Sequence, residues 1–271
     1  MQDWNCAHIL QGQQDVPLNS IGIEQSRRCG RYLKQKLRLD DPAKPKPVIV
    51  TSDLQRASAT AKCVAEEVDV PEDQIEIVPD LRESNFGVVA GHTWKEVSQK
   101  EVIKQYLKLI LLNLIILPVQ AHAKFHEELK QWKQDIHYAL PEGESLHHRF
   151  ERVKNALQTI TDKHQGKRVI LITHGAVITD IIRCAQYKGP LQPVDVRATN
   201  CSITILRYLP YGNTSPGAMV DPVAESEAML EEKASWETVV VGAVSHLIED
   251  DGKSILSSTR KLLVADDAKA G

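Results

Sequence analysis

Two segments of this chain switch hydrophobic period in the same way, and that repetition restricts the fold more than any other feature. Arg168–Arg183 reads RVILITHGAVITDIIR. Val169-Ile170-Leu171-Ile172 has the length and β-branched character of a buried parallel strand. After a break at Thr173-His174-Gly175, apolar residues recur at Val177, Ile181, Cys184 and Ala185, at helix spacing. The second segment runs Val48-Ile49-Val50, then Thr51-Ser52-Asp53-Leu54-Gln55-Arg56, then Ala57, Ala61, Val64, Ala65 and Val68 at helix spacing. Strand, polar turn and helix, twice, predict an α/β fold: a mostly parallel central sheet with helices on both faces, in three layers. If both units join one sheet, their turns face the same crevice beyond the strand ends, where such sheets bind ligands.

The turn residues suit an anion. Gly175 lets the backbone turn sharply beside His174. Arg56 falls in a first helical turn, where free backbone N–H groups and a guanidinium together make a phosphate site. Ile75-Glu76-Ile77-Val78 reads as a further short strand with Glu83 just beyond it, a candidate general acid. Each has a plain alternative: a turn histidine without a role, a solvated surface arginine, an exposed acid.

The rest of the chain is ordinary for one large α/β domain of 271 residues. An apolar fraction of 42% and a net charge of −3 leave no broad basic surface, so neither nucleic acid nor an anionic membrane is an expected partner. Five scattered cysteines lack zinc-ligand or redox-pair spacing and read as reduced thiols of a cytoplasmic protein. The first residues have neither the basic start nor the apolar core of a signal peptide. Leu107–Leu117 is intensely apolar, but too short to span a bilayer.

Asn5–Leu18 reads as a loop, with Asn19 or Ser20 capping a helix that follows. Gly91–Leu140 reads as an insertion of helices over the site; within it 101–124 is atypical, and Leu107–Leu117 is apolar on all sides. His122 and His126 lie four apart, but the second histidine of a metalloprotease motif is absent, so no metal site is expected. Leu146, Phe150, Val153, Leu157 and Ile160 mark a strong helix after the turn Pro141–Ser145. Ser202–Tyr208 alternates like a strand, and Trp236–Leu247 holds another. The span 210–233 reads as a flexible loop and 266–271 as a tail.

Four motifs carry a resemblance. Thr51-Ser52-Asp53-Leu54-Gln55-Arg56-Ala57, then Leu81-Arg82-Glu83 with Phe86-Gly87, then Gly143-Glu144-Ser145, then Thr173-His174-Gly175 resemble, in order and spacing, the histidine phosphatase superfamily. The chain looks nearest to small fungal phosphoglycerate-mutase-like phosphatases and fructose-2,6-bisphosphatase-type regulators. The resemblance implies one phosphoglycerate-mutase-like domain over 1–265, acting on a small phosphorylated metabolite without a cofactor or metal. It implies that Arg56 clamps phosphate oxygens, that His174 donates to the transferring phosphoryl group, and that Glu83 protonates the leaving alcohol. Asn5 and Gly175 match phosphate contacts, and Gln11 and Gly12 substrate contacts. Positioning and charge stabilisation are most of what phosphoryl transfer needs, and a phosphohistidine intermediate divides it into two easier steps.

The resemblance also carries a departure. Members of the family begin with a buried strand ending in Arg-His-Gly, whose histidine is the nucleophile. Aligned on Trp4 and Asn5, Met1 falls one place after that glycine, so the strand, the nucleophile and its arginine are expected to be missing from an N-terminally clipped or misplaced start. His8, on the wrong side of Asn5, is not expected to substitute. Loss of four or five buried side chains, at about 1.5–3 kcal/mol each, would rival the stability of a domain. The readings left open are a phosphomonoesterase, a catalytically dead pseudophosphatase that only binds phosphoesters, and a phosphoglycerate mutase.

Overall fold

A computed structural model describes residues 1–93, 128–186, 188–194, 199–209, 235–243 and 247. The expectations for 101–124, 210–233 and the tail, and the His122/His126 pair, lie outside these residues.

Val48–Thr51 (β1), Glu76–Ile77 (β2) and Val169–Ile172 (β3) form a parallel sheet in the order β2-β1-β3. In β1, Ile49, Val50 and Thr51 are buried, as an unbroken apolar run between two helical layers demands. β3 pairs with all four residues of β1, Val48 with Val169 through Thr51 with Ile172. β2 is shorter than the 75–78 expected from the pattern. The Ile75 N–H closes a turn onto the Glu72 carbonyl, and Pro79, unable to donate to a ladder, opens the next turn.

The helices are Asp3–Cys6 (α1), Ser20–Lys36 (α2), Gln55–Glu67 (α3), Leu146–Lys163 (α4) and Gly175–Ala185 (α5), with a further helical stretch at 128–134. α1 and an isolated bridge between Ile9 and Thr93 stand where an irregular loop was expected. Asn19 caps α2, its side chain accepting from the Gly22 N–H at 2.9 Å, and Ser145 caps α4 through the His148 N–H at 3.0 Å.

Side-chain alternation sorts the core into two faces. Ile49 and Ile170 join Leu33, Val64 and Val68 of the α2–α3 layer, whereas Val50 joins Val153, Leu157 and Ile181 of the α4–α5 layer. A third cluster, Leu10, Val89, Leu129, Trp132, Leu140 and Leu146, lies beside the loop that continues into Gln11. Ile203–Leu209 (β4) and Ser235–Ala243 (β5) pair antiparallel in a separate two-stranded sheet. β5 overlaps the span Trp236–Leu247 in which a strand was expected.

Candidate active site

The site forms where β1, β2 and β3 hand over to the segments that follow them. Arg56 is the second residue of α3 and only 7% exposed. It donates to the Gly12 carbonyl at 2.7 Å and the Gln14 carbonyl at 2.8 Å, which ties the 12–14 loop to the head of the helix. Asp15 completes that tie by accepting from the Gln55 backbone N–H at 2.7 Å. Gly12 is required twice over: its φ is +55°, and a Cβ there would lie 2.9 Å from the Ser84 carbonyl.

His174 is the N-cap of α5 and is buried. One ring nitrogen, Nε2, lies 2.7 Å from Ser52 Oγ, so the two strand-end turns meet. Burial, with Arg56 and Arg152 nearby, holds its pKa down to about 3. The imidazole is therefore neutral at ordinary pH, and a phosphate dianion beside it would favour its protonated form.

Glu83 is half-buried. One carboxylate oxygen accepts from the Ser84 N–H at 2.8 Å, and the other lies 3.5 Å from the Ala176 N–H in the first turn of α5. Its backbone carbonyl receives Gln13 and Arg152, both at 3.1 Å. Arg152 also donates to the carbonyls of Asp80 and Arg82 and pairs with Glu144 at 2.7 Å, so one guanidinium sets the course of the acid's loop. Behind it, Arg149 joins Asp180 at 2.7 Å and donates to Ser84 Oγ at 2.7 Å, all three buried.

Gln11 is buried with its amide nitrogen on Gln2 at 3.3 Å, and its Oε1 has no partner. A buried acceptor without a partner is uncommon and costs stability unless a donor reaches it. Asn5 is exposed and accepts from the Gln2 N–H at 3.0 Å; Gly175 is exposed at the head of α5. All seven residues singled out from sequence, Asn5, Gln11, Gly12, Arg56, Glu83, His174 and Gly175, line one cavity of about 1270 Å³. His8 is exposed and outside the residues lining it.

Sequence reasoning passed over Ser52 as a partner of His174, and Arg152 and Arg149 altogether. Ser52 had a signal in standing directly after β1. The two arginines sit among the apolar repeat of α4, where nothing in the spacing sets them apart from solvated residues. No cluster of histidine, cysteine and carboxylate side chains suited to a metal occurs among the described residues. No helix among them is long and apolar enough to cross a membrane.

The chain resembles known proteins in sequence and in fold. A metal-independent phosphoserine phosphatase of Arabidopsis thaliana is 33% identical over 180 residues, covering 66% of this chain and 62% of that protein. The chain thus spans less than two thirds of that relative's length. The phosphoglycerate mutase-like protein 4 of the same plant is 28% identical over 75% of this chain and 74% of its own. A mycobacterial glucosyl-3-phosphoglycerate phosphatase structure shares the fold, with TM-score 0.59 and 19% identity over 90% of this chain and 95% of its own. The profile of the histidine phosphatase superfamily (branch 1) matches residues 1–108 and 117–216, and the chain belongs to that family.

Proposed function

We propose that this chain is a phosphomonoesterase scaffold for small phosphorylated metabolites, of the kind that works through a phosphohistidine, with the nucleophile motif that would accept the phosphoryl group missing from these 271 residues. The observation that carries the reading is the convergence of Arg56, Glu83 and His174 on one cavity, with both strand-end turns joined by the Ser52–His174 contact. In this reading Arg56 and the α5 N-terminus at Gly175 hold the phosphoryl oxygens, and Asn5 adds a further contact. His174 donates to the phosphoryl group as charge builds there. Glu83 protonates the leaving alcohol and afterwards takes a proton from water. Gln11, with its free acceptor, and Gly12 meet the non-phosphoryl part of the substrate. The names of relatives, a phosphoserine phosphatase and a phosphoglycerate mutase-like protein among them, support a small phosphorylated substrate.

A second reading, a pocket that holds phosphoesters without turnover, is favoured by one observation. The tripeptide Arg-His-Gly, the nucleophile motif of the resemblance, occurs nowhere in the 271 residues. Phosphate release from p-nitrophenyl phosphate, phosphoserine and 3-phosphoglycerate separates the two. Turnover that falls at least a hundredfold in Glu83→Gln supports the esterase. Saturable binding of the same compounds with no release supports the binding role, and neither release nor binding would sink both.

A further inference from the structure

His174 has two ring nitrogens, and which of them carries the hydrogen decides what the ring offers an anion. Burial and the two guanidinium groups that face it, Arg56 of α3 and Arg152 of α4, outweigh the one carboxylate there, Asp53 after β1, and the imidazole stays neutral. A neutral imidazole has one N–H and one bare nitrogen, and the partner of each nitrogen sets the tautomer. His174 lines the cavity, and its Nε2 is taken by Ser52, so Nδ1 is the nitrogen left for a ligand. With the hydrogen on Nδ1 the ring is a donor to that ligand; with the hydrogen on Nε2 it presents a lone pair, which repels an anion.

Two observations place the hydrogen. Ser52 is fully buried with its Oγ 2.7 Å from His174 Nε2, and among the described residues the hydroxyl has no other partner. If Nε2 carried the hydrogen, Ser52 Oγ would accept it, and the hydroxyl's own hydrogen would be buried without an acceptor. With Nε2 bare, the hydroxyl donates to it and both groups are satisfied. The second observation is at the head of α5. His174 is the N-cap, where a bare Nδ1 would be an acceptor beside the unpaired N–H groups of the first turn. Its side chain nevertheless accepts from none of them, which fits a nitrogen that carries a hydrogen.

The surroundings leave the ring little else to hold it. Thr51 pairs with Ile172, which sets the residues after β1 and β3 side by side. Thr173 Oγ1 donates to the Leu81 carbonyl at 2.8 Å and pins the turn that carries His174. What the backbone leaves free is rotation of the imidazole about its side-chain bonds, and the Ser52 contact fixes that rotation.

We propose that Ser52 is a positioning residue: its hydroxyl donates to His174 Nε2 and so keeps the hydrogen on Nδ1, where a neutral histidine offers an N–H to an anion beside Arg56 and the head of α5. The tautomer follows from the contacts within the chain; its use in holding a phosphoryl group rests on the function proposed above. When the ring takes up a proton beside a phosphate dianion, Ser52 Oγ turns from donor to acceptor, so one contact orients the ring in both states.

The test is nitrogen-15 NMR on the full chain labelled at histidine, without ligand and near neutral pH, with His174 assigned by the signals lost in His174→Gln. Two-bond couplings between ring nitrogens and carbon-bound hydrogens tell a bare nitrogen from a protonated one. The expected result is a bare Nε2 and a protonated Nδ1 in the parent chain, and a hydrogen moved wholly or partly to Nε2 in Ser52→Ala. By calorimetry, inorganic phosphate should bind Ser52→Ala about three- to tenfold more weakly, the net worth of one hydrogen bond. In the His174→Gln background the same substitution should cost no further affinity. A hydrogen on Nε2 in the parent, a tautomer unchanged in Ser52→Ala, or an equal loss of affinity with and without His174 would overturn the proposal. A parent chain that shows the Nδ1 hydrogen and binds no phosphate supports the hold of Ser52 on His174 and overturns the phosphate reading instead, so the two fail separately.

Discussion

Replacing Asp180 with asparagine tests whether the loop carrying Glu83 is held from behind by a buried ionic network. Asp180 is fully buried and accepts from Arg149 at 2.7 Å and from Arg183 at 2.7 Å; the Arg149 side chain is 5% exposed and the Arg183 side chain 15%. Arg183 lies close enough to solvent to turn outward. Arg149 does not, and its charge would remain buried with Ser84 Oγ and one neutral amide. Breaking a buried pair from one side costs about 3–5 kcal/mol, a large part of the roughly 5–15 kcal/mol that holds a domain together. With a urea slope of about 2 kcal/mol per molar, the midpoint of Asp180→Asn falls by about 2 M. Arg149→Met combined with Asp180→Leu removes both charges, and should recover more than half of that loss. The network reaches the site through Ser84, next to Glu83. In the folded variant, phosphoester binding should therefore weaken less than Glu83-dependent chemistry does. A midpoint shift under about 0.5 M for the single variant, or a double variant as unstable as the single, would refute the reasoning.

Three further outcomes follow from the same contacts. Arg56→Lys loses the fork that spans Gly12 and Gln14, and inorganic phosphate should bind about ten- to a hundredfold more weakly by calorimetry, roughly 1.4–2.8 kcal/mol. His174 has a folded pKa of about 3 against an ordinary value of 6.5, so below pH 6.5 the unfolded chain binds a proton that the folded chain refuses. The stability tied to its neutral form is complete above pH 6.5 and lost as pH falls toward 3, by at most about 1.4 kcal/mol per pH unit. His174→Gln should flatten that slope in denaturation midpoints taken from pH 7 to 4, and an unchanged slope would count against a buried neutral imidazole. Gly87→Ala should destabilise by about 1–3 kcal/mol or more, because φ there is +50° and a Cβ would lie 1.9 Å from the Pro141 carbonyl oxygen. A thermal midpoint within a degree of the parent would contradict it.

Much of the layered fold was legible beforehand because its signals are local. The repeats in α3, α4 and α5 and the runs in β1 and β3 are one-face or two-face burial patterns that need no partner to be read. β2 was overextended, since Ile75 and Val78 are apolar for packing while a 3₁₀ turn before them and Pro79 after them cut the strand to two residues. α1 was missed because its four residues, Asp3–Cys6, are too few to show a period.

The site divides in the same way. Arg56, Glu83 and His174 could be singled out from sequence because each stands at a recognisable strand-to-helix or strand-to-loop boundary. The Ser52–His174 contact, the grip of Arg152 on three carbonyl groups of the acid's loop, and the Arg149–Asp180–Ser84 network join residues from 31 to 122 positions apart. No local pattern encodes such distances. Hydrophobic period alone determined that this chain makes parallel βα units with polar turns at one end of a sheet. Only the tertiary structure decided which polar groups meet there, because burial and pairing depend on what the rest of the chain brings alongside.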